Sequence, residues 1–280
     1  MRNDGTRDPM AESMNPGRES DRLLAVDIGN TNITCGIFQD GILKASARYH
    51  SSVLRTADEY YSLMGPLLDG WNVAGVKRVS MASVVPELTR VWQHLFQKYF
   101  AARVCNVSAL SPLGITFKVA DPSFVGADLV VNAFAAWQKY RRSCVIVDLG
   151  TATTIQFVTA KGSFEGTAIA PGLRTGAINL FEKAALLSGI ELTAPPVLLG
   201  VNTRDALLSG IVQGHAYMVE SFVKKVKGHY FDHPDALTIL TGGIADLIKP
   251  LVPSADIVDK SLTLEGLYMA HSILSKEDTV

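Results

Sequence analysis

From Leu23 the chain runs through four apolar residues to a single acid, Asp27, then a Gly/Asn/Thr turn, then a second β-rich run, ITCGIF. An apolar run bounded by turn residues predicts a buried strand, and the two runs together predict a hairpin. GILKASARYH predicts a third strand. TADEYYSLMGPLLDGW has helical spacing, with Thr56 placed as N-cap and Asp58 and Glu59 in the first turn. VKRVSMASVV predicts a buried strand, and Pro86 opens a helix over PELTRVWQHLFQKYF. VGADLVVNAFAAWQKY predicts another helix, with Ala, Leu and Val at its apolar positions.

The opening pattern then returns. In SCVIVDLGTATTIQFVTA a buried strand ends in Val-Asp-aliphatic-Gly, followed by a hydroxyl-rich turn and a β-run. Asp27 and Asp148 stand 121 residues apart, too far for a solenoid repeat and suited to two similar domains. SFEGTAIAP extends the sheet. LRTGAINLFEKAALL and TRDALLSGIVQGHAYMVESFVKKVKGHYF predict helices, LTILTGG a strand entering a glycine turn, and LTLEGLYMAHSILSK a closing helix. Strands alternate with helices, so the expected class is α/β. The boundary is expected near residue 140, giving domains 23–140 and 141–280. Residues 1–22 are polar, lack the apolar run of a signal peptide, and are expected to form a disordered leader.

Composition narrows the function. The 280 residues are 48% hydrophobic and 19% charged, with a net charge of −1, which is globular and argues against nucleic acid or an anionic membrane as partner. No stretch approaches 18 uninterrupted apolar residues. Cys35, Cys105 and Cys144 form no CxxC, so buried thiols in a reducing cytoplasm are expected. The histidines form no HExxH, which argues against zinc. Trp71, Trp92 and Trp137 are expected in the core, and Lys224, Lys225 and Lys227 on a solvated helix face.

The turns carry the chemistry. VDIGNTN delivers Asp27 to the carboxyl end of a strand, where open α/β sheets bind ligands. Gly29 permits close approach of an anion, and Asn30, Thr31, Asn32 and Thr34 offer donors to phosphate oxygens. Asp27 repels phosphate directly, so its sensible role is to hold hydrated Mg²⁺ beside it. Taken alone, the segment also reads as an ordinary hairpin with an Asx turn. VDLGTATT repeats the layout with Thr151, Thr153 and Thr154, so two loops could grip a polyphosphate from both sides of a cleft. No GxxxxGK[ST] and no GxGxxG following a strand occurs. The LTGG turn, with Gly242 and Gly243, could admit a flat ligand such as adenine. The three elements together point to ATP.

The ordered set DIGNTN, SVVP, VGAD, DLGTATT, AIAPG, LTGG and LTLEG, with RTADEY and KYF, resembles the type III pantothenate kinases over nearly all of residues 23 to 270. The resemblance implies two ribonuclease-H-like domains of the actin, hexokinase and acetate kinase kind around a nucleotide cleft. It implies ATP-dependent phosphorylation of pantothenate to 4′-phosphopantothenate, the first step toward coenzyme A, in a cytoplasmic homodimer using Mg²⁺ with ATP and a monovalent cation, potassium or ammonium. Carried over residue by residue, the first phosphate loop is Asp27, Ile28, Gly29, Asn30, Thr31, Asn32, Ile33 and Thr34. Asp148 matches the ligand of the monovalent cation, and Thr151 an ATP contact. Gly126, Ala127, Asp128 and Leu129 match the substrate segment, with Asp128 as general base. Val119 and Thr203 match further substrate contacts.

Three positions depart from the family pattern. Leu129 stands where relatives have arginine, Gln156 where many have aspartate, and Val119 where many have tyrosine. Leucine cannot pair with a carboxylate or phosphate as a guanidinium does. Another cation could replace it, with Arg174 and Arg204 as candidates. Two other readings stay open on this ground: a catalytically weakened paralogue that binds nucleotide and acts as a regulatory protein, and a kinase for another small alcohol.

Overall fold

The computed structural model describes residues 22–70, 76–183, 190–230 and 233–277. Apart from Arg22, the expected leader lies outside them, as does Trp71. The elements are β1 (Arg22–Ile28), β2 (Asn32–Gln39), β3 (Ile42–His50), α1 (Ala57–Gly70), β4 (Arg78–Ser83), α2 (Pro86–Phe100), β5 (Arg103–Asn106), β6 (Thr116–Phe117) and α3 (Ala127–Tyr140). There follow β7 (Cys144–Leu149), β8 (Ala152–Val158), β9 (Ser163–Pro171), α4 (Leu173–Lys183), α5 (Thr203–Leu208), α6 (Gly214–Lys225), β10 (Leu237–Thr241), α7 (Ala245–Ile248), β11 (Ile257–Val258) and α8 (Leu262–Glu277).

Two mixed sheets form, in the orders β3-β2-β1-β4-β5 and β11-β10-β7-β8-β9-β6. In each, a meander of three antiparallel strands is continued by parallel strands: β1 beside β4 and β5, and β7 beside β10 and β11. The second sheet therefore repeats the first, as expected of two ribonuclease-H-like sheets. β6 adds an edge strand beside β9. The strands β5, β6 and β11 carry two to four residues each, too few for a periodic signal, and they escape the sequence pattern.

Strand alternation sorts the side chains into layers. On β1, Leu24, Val26 and Ile28 face a core shared with Trp92, Phe96 and Tyr60 of α1 and α2, while Leu23 and Ala25 face α3 and α8. On β7, Val145, Val147 and Leu149 face α5, α6 and α7, while Cys144 and Ile146 face Ala133 and Ala136 of α3. Helix α3 is thus buried between the inner faces of the two sheets. It is apolar on nearly every side, which is what a helix sandwiched between two sheets requires.

Local signals behave as their chemistry demands. Thr56 and Glu59 form a reciprocal capping box at the start of α1: the Thr56 N–H donates to Glu59 Oε2 at 2.7 Å, and the Glu59 N–H to Thr56 Oγ1 at 3.3 Å. The long helical segment from Thr203 is broken by π-helical turns over Ser209–Gln213 and Val226–Tyr230, which a simple helical period does not reveal. Trp92 is fully buried, whereas Trp137 is half-buried and donates to the Ala160 carbonyl. Cys35 and Cys144 are buried, Cys105 half-buried, and all three are free.

Candidate active site

The strand faces decide where the acids point. Asp27 follows Leu23 and Ala25 in the alternation of β1, and Asp148 follows Cys144 and Ile146 in that of β7, so both carboxylates leave the inner faces. Each heads a cross-strand row: Asp27 opposite Thr34 in the first sheet, Asp148 opposite Thr154 in the second. The turns after them touch. Thr151 Oγ1 donates to Thr31 Oγ1 at 2.9 Å across the gap between the sheets. The two acid-bearing hairpins therefore form one cleft.

Each turn is tied down from behind. Gly29 N–H donates to the Asn32 carbonyl at 3.0 Å. Ser51, just past β3, donates its hydroxyl to the Gly29 carbonyl at 2.6 Å and its N–H to the Thr31 carbonyl at 2.9 Å. Ile28 and Ile33 bury their side chains in the first core, so only their backbone faces the turn. In the second turn the Thr151 carbonyl accepts from Gly172 N–H at 3.0 Å and from Thr175 Oγ1 at 2.8 Å. These bonds leave Asn30 and Asn32 exposed.

Helix α3 brings the third acid. Gly126 is its N-cap, and Asp128 in the first turn accepts the Leu129 N–H at 2.8 Å. A Cβ at residue 126 would stand 2.6 Å from Asp128 Oδ1, so glycine is what lets that carboxylate hold its place. One turn on, the buried Asn132 donates to Asp148 Oδ2 at 2.9 Å and accepts from Thr263 of α8 at 2.7 Å. Asn132, Thr263 and Ser51 escape sequence reasoning. Asn132 lies four residues after Asp128, on the same helix face, and that spacing was the available signal.

Asp27, Asp128 and Asp148 are close enough to act on one another. Burial, then the charges of Asp128 and Asp148, push the Asp27 carboxyl up to about 8, opposed by Arg48. Burial and Asp128 push Asp148 up to about 6, opposed by the Asn132 hydrogen bond and by Arg48. Burial also raises Asp128, against the pull of backbone N–H groups. Such a cluster seeks positive charge. Among the described residues no three or more Asp, Glu, His or Cys side chains form a metal cage. Mg²⁺ needs no such cage, since it takes one or two carboxylates together with phosphate oxygens and water.

The raised carboxyls make the stability of the fold depend on pH. The folded chain keeps a proton on Asp27 that the unfolded chain loses above its ordinary value, so the contribution of this group to stability falls as pH rises from about 4 to about 8. Asp27→Asn removes that loss. In nucleotide- and metal-free buffer the variant is expected to gain on the wild type by about 1 kcal/mol or more between pH 5 and 8, roughly 2–4 °C in Tm. A Tm difference that does not change with pH would contradict the assignment.

The remaining predicted residues divide. Gly242 has φ +92° and packs against Leu149, so the glycine turn sits beside the second acid-bearing strand. Gly243 stands against the Arg48 guanidinium. Val119 packs half-buried against the inner core of the second sheet. Ala127 and Leu129 are buried, with Leu129 6% exposed, so an arginine there would have to find a partner for a buried charge. Gln156 is 1% exposed and neither amide atom has a partner among the described residues; the Thr154 hydroxyl is likewise unpaired there. Both lie on the Asp148 face of β8, since Thr154 is opposite Asp148 and Gln156 opposite Ile146. Thr203, by contrast, starts α5 in a separate hollow of about 530 Å³ lined with Gly200, Val201, Asn202, Ala206 and Leu207. Arg204 beside it stands 3.8 Å from Asp205, and Arg174 is exposed on α4. The cation acting on Asp27 and Asp148 is Arg48.

Known proteins share this fold. In overall structure the chain is similar to a Campylobacter jejuni protein whose name places it in a Baf family of transcriptional activators, with a TM-score of 0.56 at 17% identity, over 92% of this chain and all of that one. It is also similar to the ethanolamine utilization protein EutJ of Carboxydothermus hydrogenoformans, with a TM-score of 0.50 at 16% identity, over 88% of each chain. At these identities the likeness concerns fold alone. Sequence says more. Type III pantothenate kinases of Dehalococcoides mccartyi (strain BAV1) and Geobacter sulfurreducens are 40% and 39% identical, over 93% and 89% of this chain and 99% and 98% of theirs. The type III pantothenate kinase of Thermomicrobium roseum is 37% identical over 89% of this chain and 96% of its own. The sequence profile of the type III pantothenate kinase family matches residues 23–225, from the first acid-bearing hairpin through α6, and the chain belongs to that family.

Proposed function

We infer that the protein is an ATP-dependent kinase that phosphorylates pantothenate to 4′-phosphopantothenate, the first step of coenzyme A synthesis. The observation that carries this reading is the convergence of Asp27, Asp128 and Asp148 in a cleft whose two walls meet at Thr31 and Thr151. The two turns bind the polyphosphate with backbone N–H groups and with the hydroxyls of Thr31, Thr34 and Thr151, and the Gly242–Gly243 turn takes the adenosine end. Asp128 is the general base. It accepts the proton of the pantothenate primary hydroxyl as that oxygen bonds to the γ-phosphorus; the bond from phosphorus to the β–γ bridging oxygen breaks, and its electron pair leaves on ADP. Magnesium entering with ATP would be held beside Asp27 and would neutralise phosphate charge.

The acceptor side is read from unpaired groups. Pantothenate carries hydroxyls and an amide, and Gln156 and Thr154 offer buried polar atoms with no partner among the described residues. Val119 packs on the same inner face of the second sheet, and Gly126, the N-cap of α3 beside Asp128, would line the acceptor side. Asp148, with Asn132 fixing one oxygen, is the ligand for a monovalent cation, potassium or ammonium. The working unit is a homodimer. Ile169 of β9, Ile178 of α4, and Leu199 and Val201 beside the Thr203 hollow are 66%, 54%, 86% and 98% exposed, apolar side chains that a second copy would cover. Thr203 stands apart from the acids of its own chain, so it would act in the acceptor pocket of that second copy. The setting is the cytoplasm, which three free cysteines suit; among the described residues no helix is long and apolar enough to cross a membrane.

A coupled ADP-release assay with pantothenate, Mg·ATP and potassium or ammonium tests the reading. Turnover that requires pantothenate is expected. Absence of turnover with every cation tried would reject pantothenate as the acceptor.

A further inference from the structure

The row that begins with Asp27 does not end at Thr34. Thr34 is opposite Arg48 of β3, so Asp27, Thr34 and Arg48 lie side by side across three strands on the inner face. Two strand spacings, roughly 10 Å, separate the backbones of Asp27 and Arg48. An arginine side chain can cover much of that distance while lying over a small threonine. The guanidinium crosses to the other sheet: Nη1 is 3.2 Å from the point a Cβ on Gly243 would occupy. Gly243 comes two residues after Thr241, the neighbour of Asp148 in the second sheet. Arg48 thus spans the cleft from the first hairpin to the glycine turn.

Nothing holds it there. Arg48 is exposed and has no hydrogen bond or ion pair among the described residues, although its charge acts on both Asp27 and Asp148. A structural arginine in such surroundings would close on one of the carboxylates. This one pairs with neither among the described residues, which leaves its donors open to an anion. A guanidinium matches phosphate geometry and keeps its charge at every working pH.

We propose that Arg48 is a catalytic residue of the phosphoryl-transfer site, donating to the polyphosphate oxygens of ATP and stabilising the charge that develops there in transfer. The bond changes are those given above: phosphorus is taken by the acceptor oxygen, the proton goes to Asp128, and the electron pair leaves on ADP. Arg48 gives up no proton and only receives charge density from the phosphate oxygens. On this view the positive charge that Leu129 cannot supply comes from β3 rather than from Arg174 or Arg204. The proposal rests on the nucleotide-cleft reading but not on the identity of the acceptor.

The test pairs kinetics with binding. Arg48→Gln is expected to lower kcat by about 10²–10³-fold, with Arg48→Lys recovering part of it. By calorimetry, Arg48→Gln is expected to weaken the Mg complex of a non-hydrolysable ATP analogue by about tenfold or more and to leave adenosine, which has no phosphate, within twofold. The Tm is expected to hold. If wild-type protein does not turn over pantothenate, the acceptor assignment fails, and the calorimetric pair still judges Arg48. Equal losses for adenosine and the ATP analogue would make Arg48 a prop for the Gly243 turn and overturn the proposal. Unchanged affinity for both, or an unchanged kcat in an active enzyme, would overturn it as well.

Discussion

Asp128→Asn is expected to lower kcat for pantothenate by about 10²–10⁴-fold while ATP affinity stays within a few-fold of wild type. The carboxylate enters on the first turn of α3, in the layer between the sheets, where burial raises its proton affinity. A base in that state is better matched to an alcohol proton than a solvent-exposed aspartate. Asparagine keeps the shape, and its side-chain carbonyl can still accept the Leu129 N–H, so the helix start survives. Only the proton acceptor is lost. In the wild type, kcat/KM is expected to fall as pH drops through the raised value of this group, and that acid limb should vanish from the residual activity of the variant. Full turnover by Asp128→Asn would remove the base from this account.

Gly242→Ala is expected to cost about 2–4 kcal/mol of stability, roughly 4–16 °C in Tm, and to weaken nucleotide binding at least tenfold. Two effects add at this residue. Its φ is +92°, which alanine adopts only under strain, and the new Cβ would stand 2.7 Å from the backbone of Leu149. Leu149 directly follows Asp148, so relief of that clash displaces the acid that heads the second turn. The neighbouring glycine supplies a control. At Gly243 the nearest atom is the end of the flexible Arg48 side chain, 3.2 Å away. Gly243→Ala should therefore fold nearly as well as wild type while disturbing nucleotide binding. Melts of both variants, beside calorimetry with an ATP analogue, check the contrast; an unperturbed Gly242→Ala protein would contradict the packing described.

How much of this could be read from sequence depended on how local each signal was. Asp27 and Asp148 stood out because a buried strand ending in an acid and a glycine turn is contiguous, and because it occurs twice. The capping box at Thr56 and the apolar helix around Leu129 were visible for the same reason. Arg48 was not, because its place beside Thr34 depends on the register of β2 against β3, which shifts between Ile37 and Phe38. A bulge of that kind changes which residues share a row without leaving a mark in the hydrophobic pattern. Ser51 and Thr263 act through bonds to distant turns and helices, so neither has a local signature. In the sequence Gln156 is only a departure from the family pattern; its significance lies in burial without a partner among the described residues, which only the fold reveals.

A crystal structure with a non-hydrolysable ATP analogue, Mg²⁺ and pantothenate would test the account most directly. It is expected to show the phosphates between the turns at Asp27–Thr34 and Asp148–Thr154, with the acceptor hydroxyl within hydrogen-bond reach of Asp128. Phosphates seated anywhere else on the protein, with the cleft between Thr31 and Thr151 left empty, would contradict it.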